Sequence, residues 1–287
     1  MLQVARLAPR SLGESRDLVA DFLRRSLKAD GGFQDRSGES DLYYTVFGLE
    51  ALLALGEPAP RITSSYLQQF GDGASLDFVH LACLARAWGS ASPDGLNSDT
   101  CASLLLRLES FRSVDGGFAA TETAATGSAY ACFLAMAAFE DLGAAVPDGD
   151  GMRRCLEGVR AADGGYANHA GADEGSTPAT AAAVMVLRHL DVTPDPAVSR
   201  WLLGRCHTGG GFFAAPRAPV PDLLSTATAL HALSAVHADI DHLREPCLDF
   251  VDTLWTSSGG FYGSWADNTL DCEYTYYGLL ALGHLSL

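Results

Sequence analysis

A Gly-Gly-aromatic turn recurs along this chain, and its spacing limits what the chain can fold into. It stands as DGGF at Asp30 to Phe33, DGGF at Asp115 to Phe118, DGGY at Asp163 to Tyr166, GGGF at Gly209 to Phe212 and SGGF at Ser258 to Phe261. The later intervals between first glycines of the pairs are 48 (116 to 164), 46 (164 to 210) and 49 (210 to 259) residues. The first, 31 to 116, is 85 residues, room for two shorter periods with Gly71-Asp72-Gly73 as a degenerate turn between them. A period of this length marks stacked supersecondary units. The 287 residues therefore read as a single domain, 1–287, of six repeats at roughly 14–56, 57–90, 97–143, 149–192, 196–238 and 241–287.

Within each repeat the helix before the turn is amphipathic, as in Ser15 to Leu27, where leucines and a phenylalanine fall at helical spacing with Arg and Asp on the other face. The helix after the turn is apolar nearly all round, as in LYYTVFGLEALLAL from Leu42 to Leu55. Phe78 to Trp88, Ser128 to Leu142, Ala179 to Leu190, Leu223 to Val236 and Cys272 to Leu285 repeat that pattern. A helix without a polar face must be enclosed on all sides. The pattern predicts an all-α fold, an α6/α6 toroid in which an inner barrel of apolar helices is sheathed by an outer one. No alternating stretch bounded by turn residues predicts a strand. The glycine pairs read as helix terminators, since a residue with positive φ ends a helix most cheaply.

Composition narrows the function classes. Nineteen basic against 35 acidic residues give a net charge of −16, and no Lys/Arg run offsets it locally, which argues against nucleic acid as a partner. No stretch approaches the roughly 18 uninterrupted apolar residues of a membrane span. The first residues lack the apolar core of a secretion signal. The seven cysteines are odd in number and far apart, with no CxxC pair, which suits reduced thiols and a cytoplasmic location.

The repeated unit resembles that of the β subunits of protein prenyltransferases and the related terpenoid-cyclase domains. The nearest stretch is GGFQDRSGESDLYYTVFGL, Gly31 to Leu49, similar to the prenyltransferase repeat GGF-x-D-[RK]-P-G-x-x-x-D-x-x-H-T, and the likeness runs the full length through the repeat. The resemblance implies an enzyme, a transferase or a cyclase, that binds an isoprenoid or other apolar small molecule in the inner barrel, with polar chemistry at the mouth where the inner helices begin. It also implies a zinc ion held by an Asp-x-Cys pair at one inner-helix start and a His at the next. That ligand pattern is not intact here. The helix-start acids are Asp41, Asp77, Asp222 and Asp271, none followed by Asp-x-Cys, and the His place holds Tyr44, His80, Ser225 and Tyr274. The second helical-repeat subunit that protein prenylation requires is not evident from the sequence.

Two partial polar groups follow. Ring closure would set Asp271 and Glu273 of the last repeat beside Tyr44 of the first, the candidate catalytic set. Asp41, Asp77 and His80 form an alternative set for a metal. An Asp at a helix start also caps free N–H groups, so capping competes with function at each. Asp271 and Glu273, two residues apart, point about 200° from each other on a helix and cannot both be caps. Tyr43, Phe47, Tyr130, Tyr274, Tyr276 and Trp265 are candidate lining for an apolar polyene, whose carbocations aromatic faces would steady. Arg36 is the basic group retained near the mouth for an anionic leaving group. An alternative activity is proton-initiated cyclisation without a metal, with Asp271 or Glu273 kept protonated by burial as the acid; another is a non-catalytic toroid for binding or scaffolding. The Asp-x-Asp-Asp acid motif of terpene cyclases does not occur, and Ser225 and His231 share a helix with Asp222 at spacings that assemble no triad.

Overall fold

A computed structural model of the chain describes residues 1–91 and 95–287. Two short helices, α1 (Leu2–Ala5) and α2 (Pro9–Leu12), precede six outer–inner pairs: α3 (Arg16–Ser26) with α4 (Leu42–Ala54), α5 (Thr63–Gln68) with α6 (Phe78–Ala91), α7 (Ser98–Glu109) with α8 (Ala129–Asp141), α9 (Gly149–Gly158) with α10 (Thr177–His189), α11 (Pro196–Leu203) with α12 (Leu223–Ala235), and α13 (Arg244–Leu254) with α14 (Cys272–Leu285). Each inner helix packs against the next, and α14 returns to α4, so the ring closes. The six repeats are thus a double barrel, the α6/α6 toroid. The degenerate second repeat has the shortest outer helix, six residues in α5.

One hydrogen-bond unit builds the repeats. The aspartate ahead of the glycine pair accepts from the N–H of the second glycine, as Asp30 does from Gly32 at 3.0 Å and Asp163 from Gly165 at 3.0 Å. The buried N–H of the aromatic residue donates to a side chain at the fourth residue of the inner helix: Phe33 to Thr45, Tyr166 to Thr180 and Phe212 to Thr226, each at 2.9 Å, and Phe261 to Thr275 at 3.4 Å. In the third repeat the Cys132 thiol takes that place, 3.4 Å from the Phe118 nitrogen. The first glycine of a pair meets the outer helix of the following repeat at Gly31, Gly116, Gly210 and Gly259, but not at Gly164. A Cβ on Gly210 (φ +87°) would lie 1.8 Å from the Pro246 carbonyl oxygen, and one on Gly259 (φ +95°) 2.1 Å from that of Leu18. The expectation that the pair ends the outer helix is corrected: α3, α7, α9 and α13 end on Leu27, Ser110, Val159 and Trp255, ahead of the glycines, and the pair instead brings neighbouring hairpins into backbone contact.

The structure adds two small ladders where no strand is predicted. Phe33–Gln34 pairs antiparallel with Ser40–Asp41, and Phe212–Phe213 with Pro221–Asp222. Each is two residues a side, too short to carry an alternating pattern, and forms because the loop doubles back to the inner-helix start. Every inner helix begins on a capping side chain, Asp41, Asp77, Ser128, Ser176, Asp222 and Asp271, which accepts from the N–H three residues on. Outer helices alternate with inner ones, so the inner helices run parallel and all six caps ring one end of the barrel. At the other end α1 packs on α14 and α4. No helix among the described residues is long and apolar enough to cross a membrane.

Candidate active site

Just inside the ring of caps lies a cavity of about 170 Å³ lined by Tyr43, Tyr130, Phe133, Met185, His231 and Tyr277, with small or aliphatic residues between them and Met1 reaching in from α1. Its wall is overwhelmingly apolar because it is made from the all-apolar face of the inner helices. Apolar cavities near 150 Å³ stay dry and hold a benzene-sized guest, whereas ligand pockets usually measure 300–1,000 Å³. The space therefore suits a compact hydrocarbon group.

The polar chemistry sits at the seam between the first and last repeats. Asp271 caps α14 by accepting from Tyr274 N–H at 2.8 Å, and its other oxygen accepts from Arg36 Nε at 2.7 Å. Arg36 Nη2 reaches Asp267 at 2.7 Å, and its guanidinium lies 5.4 Å from the centre of the Tyr274 ring. Burial raises the Asp271 carboxyl above the usual carboxylate range, with Arg36 and the Tyr274 N–H opposing that shift. Glu273 points the other way, into the barrel. It is 9% exposed and accepts from the Tyr43 hydroxyl at 2.6 Å. Burial pushes its carboxyl up to about 7. Tyr44 lies beside this pair, and burial together with the Asp271 and Glu273 charges raises its phenol to about 12. Asp271, Glu273 and Tyr44 are thus brought together across the seam, but the three differ in kind: Asp271 is a neutralised cap and Glu273 is the titratable acid. The residue hydrogen-bonded to that acid is Tyr43, not Tyr44.

The zinc set implied by the resemblance does not fit these residues. Glu273 stands in the place of the thiolate and Tyr44 in that of the imidazole, which leaves no soft ligand. The Asp271 carboxylate already faces a fixed cation, the Arg36 guanidinium. The alternative set is corrected too. His80 is bracketed by two carboxylates, Nδ1 2.9 Å from Asp77 and Nε2 3.2 Å from Asp41, so its opposite ring edges are both engaged and the three groups converge on no common point. Among the described residues no three His, Cys, Asp or Glu side chains form a group able to hold a metal ion.

Of the candidate lining residues, Tyr43 and Tyr130 face the cavity. The other four lie elsewhere. Phe47 packs behind Tyr43 with ring centres 4.9 Å apart, and Tyr276 is 1% exposed, buried in the wall 5.8 Å from Phe47. Tyr274 lies beneath Arg36. Trp265 is 48% exposed and packs on Phe250 of α13, with its indole N–H donated to Thr253. Arg36 is committed to Asp267 and Asp271 rather than free for an anion. Phe133, Tyr277 and Met185 lie on the same apolar helices, and periodicity alone cannot say which side of an all-apolar helix faces the lumen. His231 was visible only as a histidine without triad partners; its neighbour His284 lies on another helix.

This architecture is shared. A profile of the prenyltransferase alpha-alpha toroid domain matches residues 14–83, 70–213 and 180–286. No curated protein matches the chain in sequence. Among solved structures, protein geranylgeranyltransferase-I of Candida albicans, complexed with GGPP, aligns with a TM-score of 0.68 at 14% identity over 94% of this chain and 90% of that one. A variant of the type II terpene cyclase MstE from Scytonema, in complex with geranylgeranyl dihydroxybenzoate, gives 0.62 at 12% identity over 97% of each chain. A D-mannose isomerase gives 0.63 at 14% identity over 97% of this chain and 98% of that one. At such identities the likeness is one of fold, and the fold serves both apolar and sugar substrates.

Proposed function

Because the chain belongs to the prenyltransferase alpha-alpha toroid family, we propose that it is an enzyme of the terpene-cyclase kind, which protonates an olefin of a compact isoprenoid or similar apolar substrate held in the inner barrel. The observation that carries this reading is Glu273: a buried carboxyl behind the wall of an apolar, aromatic-lined cavity, hydrogen-bonded to a tyrosine that lines it and held near half-protonation at neutral pH. A general acid must be protonated at the working pH and close to its target. When Glu273 is protonated it donates to the Tyr43 oxygen, and the Tyr43 hydroxyl proton is released to face the cavity. Burial raises the Tyr43 phenol far above its ordinary value, so tyrosinate does not accumulate. Tyr43 therefore passes a proton to the olefin as it takes one from Glu273. The resulting cation sits among Tyr43, Tyr130, Phe133 and Tyr277, each worth about 0.5–2 kcal/mol where a ring face is presented.

Protein prenylation is the weaker reading, because the donor set does not suit zinc and Arg36 is held by two carboxylates. The test is turnover of a panel of short isoprenoid alcohols in D2O, with deuterium incorporation read by mass spectrometry. Wild type is expected to place deuterium on carbon, with a rate that falls as pH rises through about 7. Glu273→Gln is expected to lose at least 100-fold, the low end of general-acid contributions. Equal turnover by the Gln variant, or a rate flat from pH 5 to 9, defeats the assignment.

A further inference from the structure

Two histidines on neighbouring inner helices meet far below the mouth. His231 Nδ1 of α12 lies 2.9 Å from His284 Nε2 of α14, and both rings are buried, 9% and 4% exposed. The outer nitrogens, His231 Nε2 and His284 Nδ1, have no hydrogen-bond partner. Buried unpaired polar atoms are costly, and one that persists calls for an explanation. The two orphans belong to residues that open onto different spaces. His231 lines the lumen cavity, below Leu224 and Thr228 on one face of α12, whereas His284 lines a separate surface pocket with Ser234, Asp241 and Arg244. His231 is seven residues past Leu224, about 10 Å deeper along the helix, so the imidazole lies far along the cavity from the mouth end, where Tyr43 carries the hydrogen bond to Glu273.

We propose that His231 Nε2 is the base that ends the reaction, with His284 as its positioning and proton-exit partner; this rests on the cyclase reading above. A cation made by adding one proton at the mouth becomes an olefin only by losing one elsewhere. A C–H bond beside the cationic carbon breaks, its electron pair becomes the new C=C bond, and its proton goes to His231 Nε2. The Nδ1 proton of His231 shifts to His284 Nε2, and the Nδ1 proton of His284 leaves to water at the surface pocket. Water entering as product departs reverses the tautomers and resets the pair. Burial lowers His231 to about 2 and His284 to about 4, so the pair stays neutral and able to accept; a weak base suffices, because protons beside a carbocation are strongly acidic.

Two measurements separate this proposal from the reading beneath it. The first needs no substrate: 15N-histidine NMR of the full chain at pH 7. A bare His231 Nε2, with its Nδ1 proton shared with His284, is expected, and His284→Phe is expected to convert His231 to the Nε2–H tautomer. A wild-type His231 that carries Nε2–H or is an imidazolium overturns the proposal whatever the activity. The second is the product pattern with geraniol in D2O. Among the deuterium-labelled products of His231→Phe and His231→Asn, whatever their total yield, the olefin-to-alcohol ratio is expected to fall at least tenfold, as water captures a cation no longer deprotonated. An unchanged ratio places the base elsewhere. If wild type adds no deuterium, the cyclase reading fails and the base assignment falls with it, even where the NMR result stands.

Discussion

At the scale of single residues, Glu273 and His80 titrate with opposite consequences for stability. Glu273 ionises at about 7 in the folded chain but near its ordinary value of about 4.3 when unfolded. The folded state thus binds the proton more tightly, and stability falls as pH rises from about 4.5 to 7. Glu273→Gln removes that penalty. Chemical denaturation is expected to show the variant more stable than wild type at pH 8 by on the order of 1–3 kcal/mol, with the difference gone by pH 4. That gain, together with lost turnover, is the mark of a group kept for chemistry rather than for the fold. His80 has the opposite sign. Its hydrogen bond to Asp41, with that to Asp77, raises it to about 9, so its contribution is complete below about 6.5 and vanishes as pH rises through 9. The ring is more than a third exposed, which discounts the effect. His80→Ala is expected to lower stability by up to about 1 kcal/mol at pH 6 and not at all at pH 10. The capping role of Asp41, Asp77 and Asp222 was legible from their place before an apolar run; the pairing of Glu273 with Tyr43 was not, since the two are 230 residues apart and only the closed ring joins them.

At the scale of the helices, the hairpins were legible because each inner helix is apolar all round and each turn carries its own glycines. The thread between turn and inner helix was not, for it runs through a single hydroxyl. Thr226 Oγ1 accepts from the buried Phe212 N–H at 2.9 Å and donates to the Asp222 carbonyl at 2.6 Å. Thr226→Val keeps the shape and strands a buried N–H, so a loss of about 1–3 kcal/mol is expected by denaturant titration. Thr226→Cys is expected to lose less, since Cys132 already fills the equivalent place in the third repeat. If the valine variant matches wild type, the aromatic residue's anchorage rests on packing alone. The same blindness to side-chain direction explains the lining residues: Tyr276 and Tyr277 are adjacent in an aromatic run, yet one is sealed in the wall and the other faces the cavity.

At the scale of the whole molecule, joints at Gly31, Gly116, Gly210 and Gly259 each set a glycine against the backbone of the following repeat, but only one carries the candidate site. Between the last and first repeats, Gly259 abuts Leu18, Arg25 donates to the Ser258 carbonyl, Arg36 spans Asp267 and Asp271, and Tyr43 reaches Glu273. The joint at Gly210 and Pro246 is built the same way, far along the chain from Glu273 and Tyr43. Both glycines have positive φ and both would drive a Cβ into a carbonyl of the facing helix. An L side chain in that backbone region costs about 1–2 kcal/mol before any clash is counted. Gly210→Ala and Gly259→Ala are therefore expected to destabilise the fold comparably, each by more than about 2 kcal/mol. Their effects on the acid are expected to differ, because displacing α3 from the last turn loosens the seam that buries Glu273. In Gly259→Ala the pH midpoint of turnover should move from about 7 toward an ordinary carboxyl, while Gly210→Ala should retain it at the temperature where both variants are equally folded. Equal pH midpoints in the two would mean that the acid is buried by its own repeat, and that closure of the ring serves stability alone.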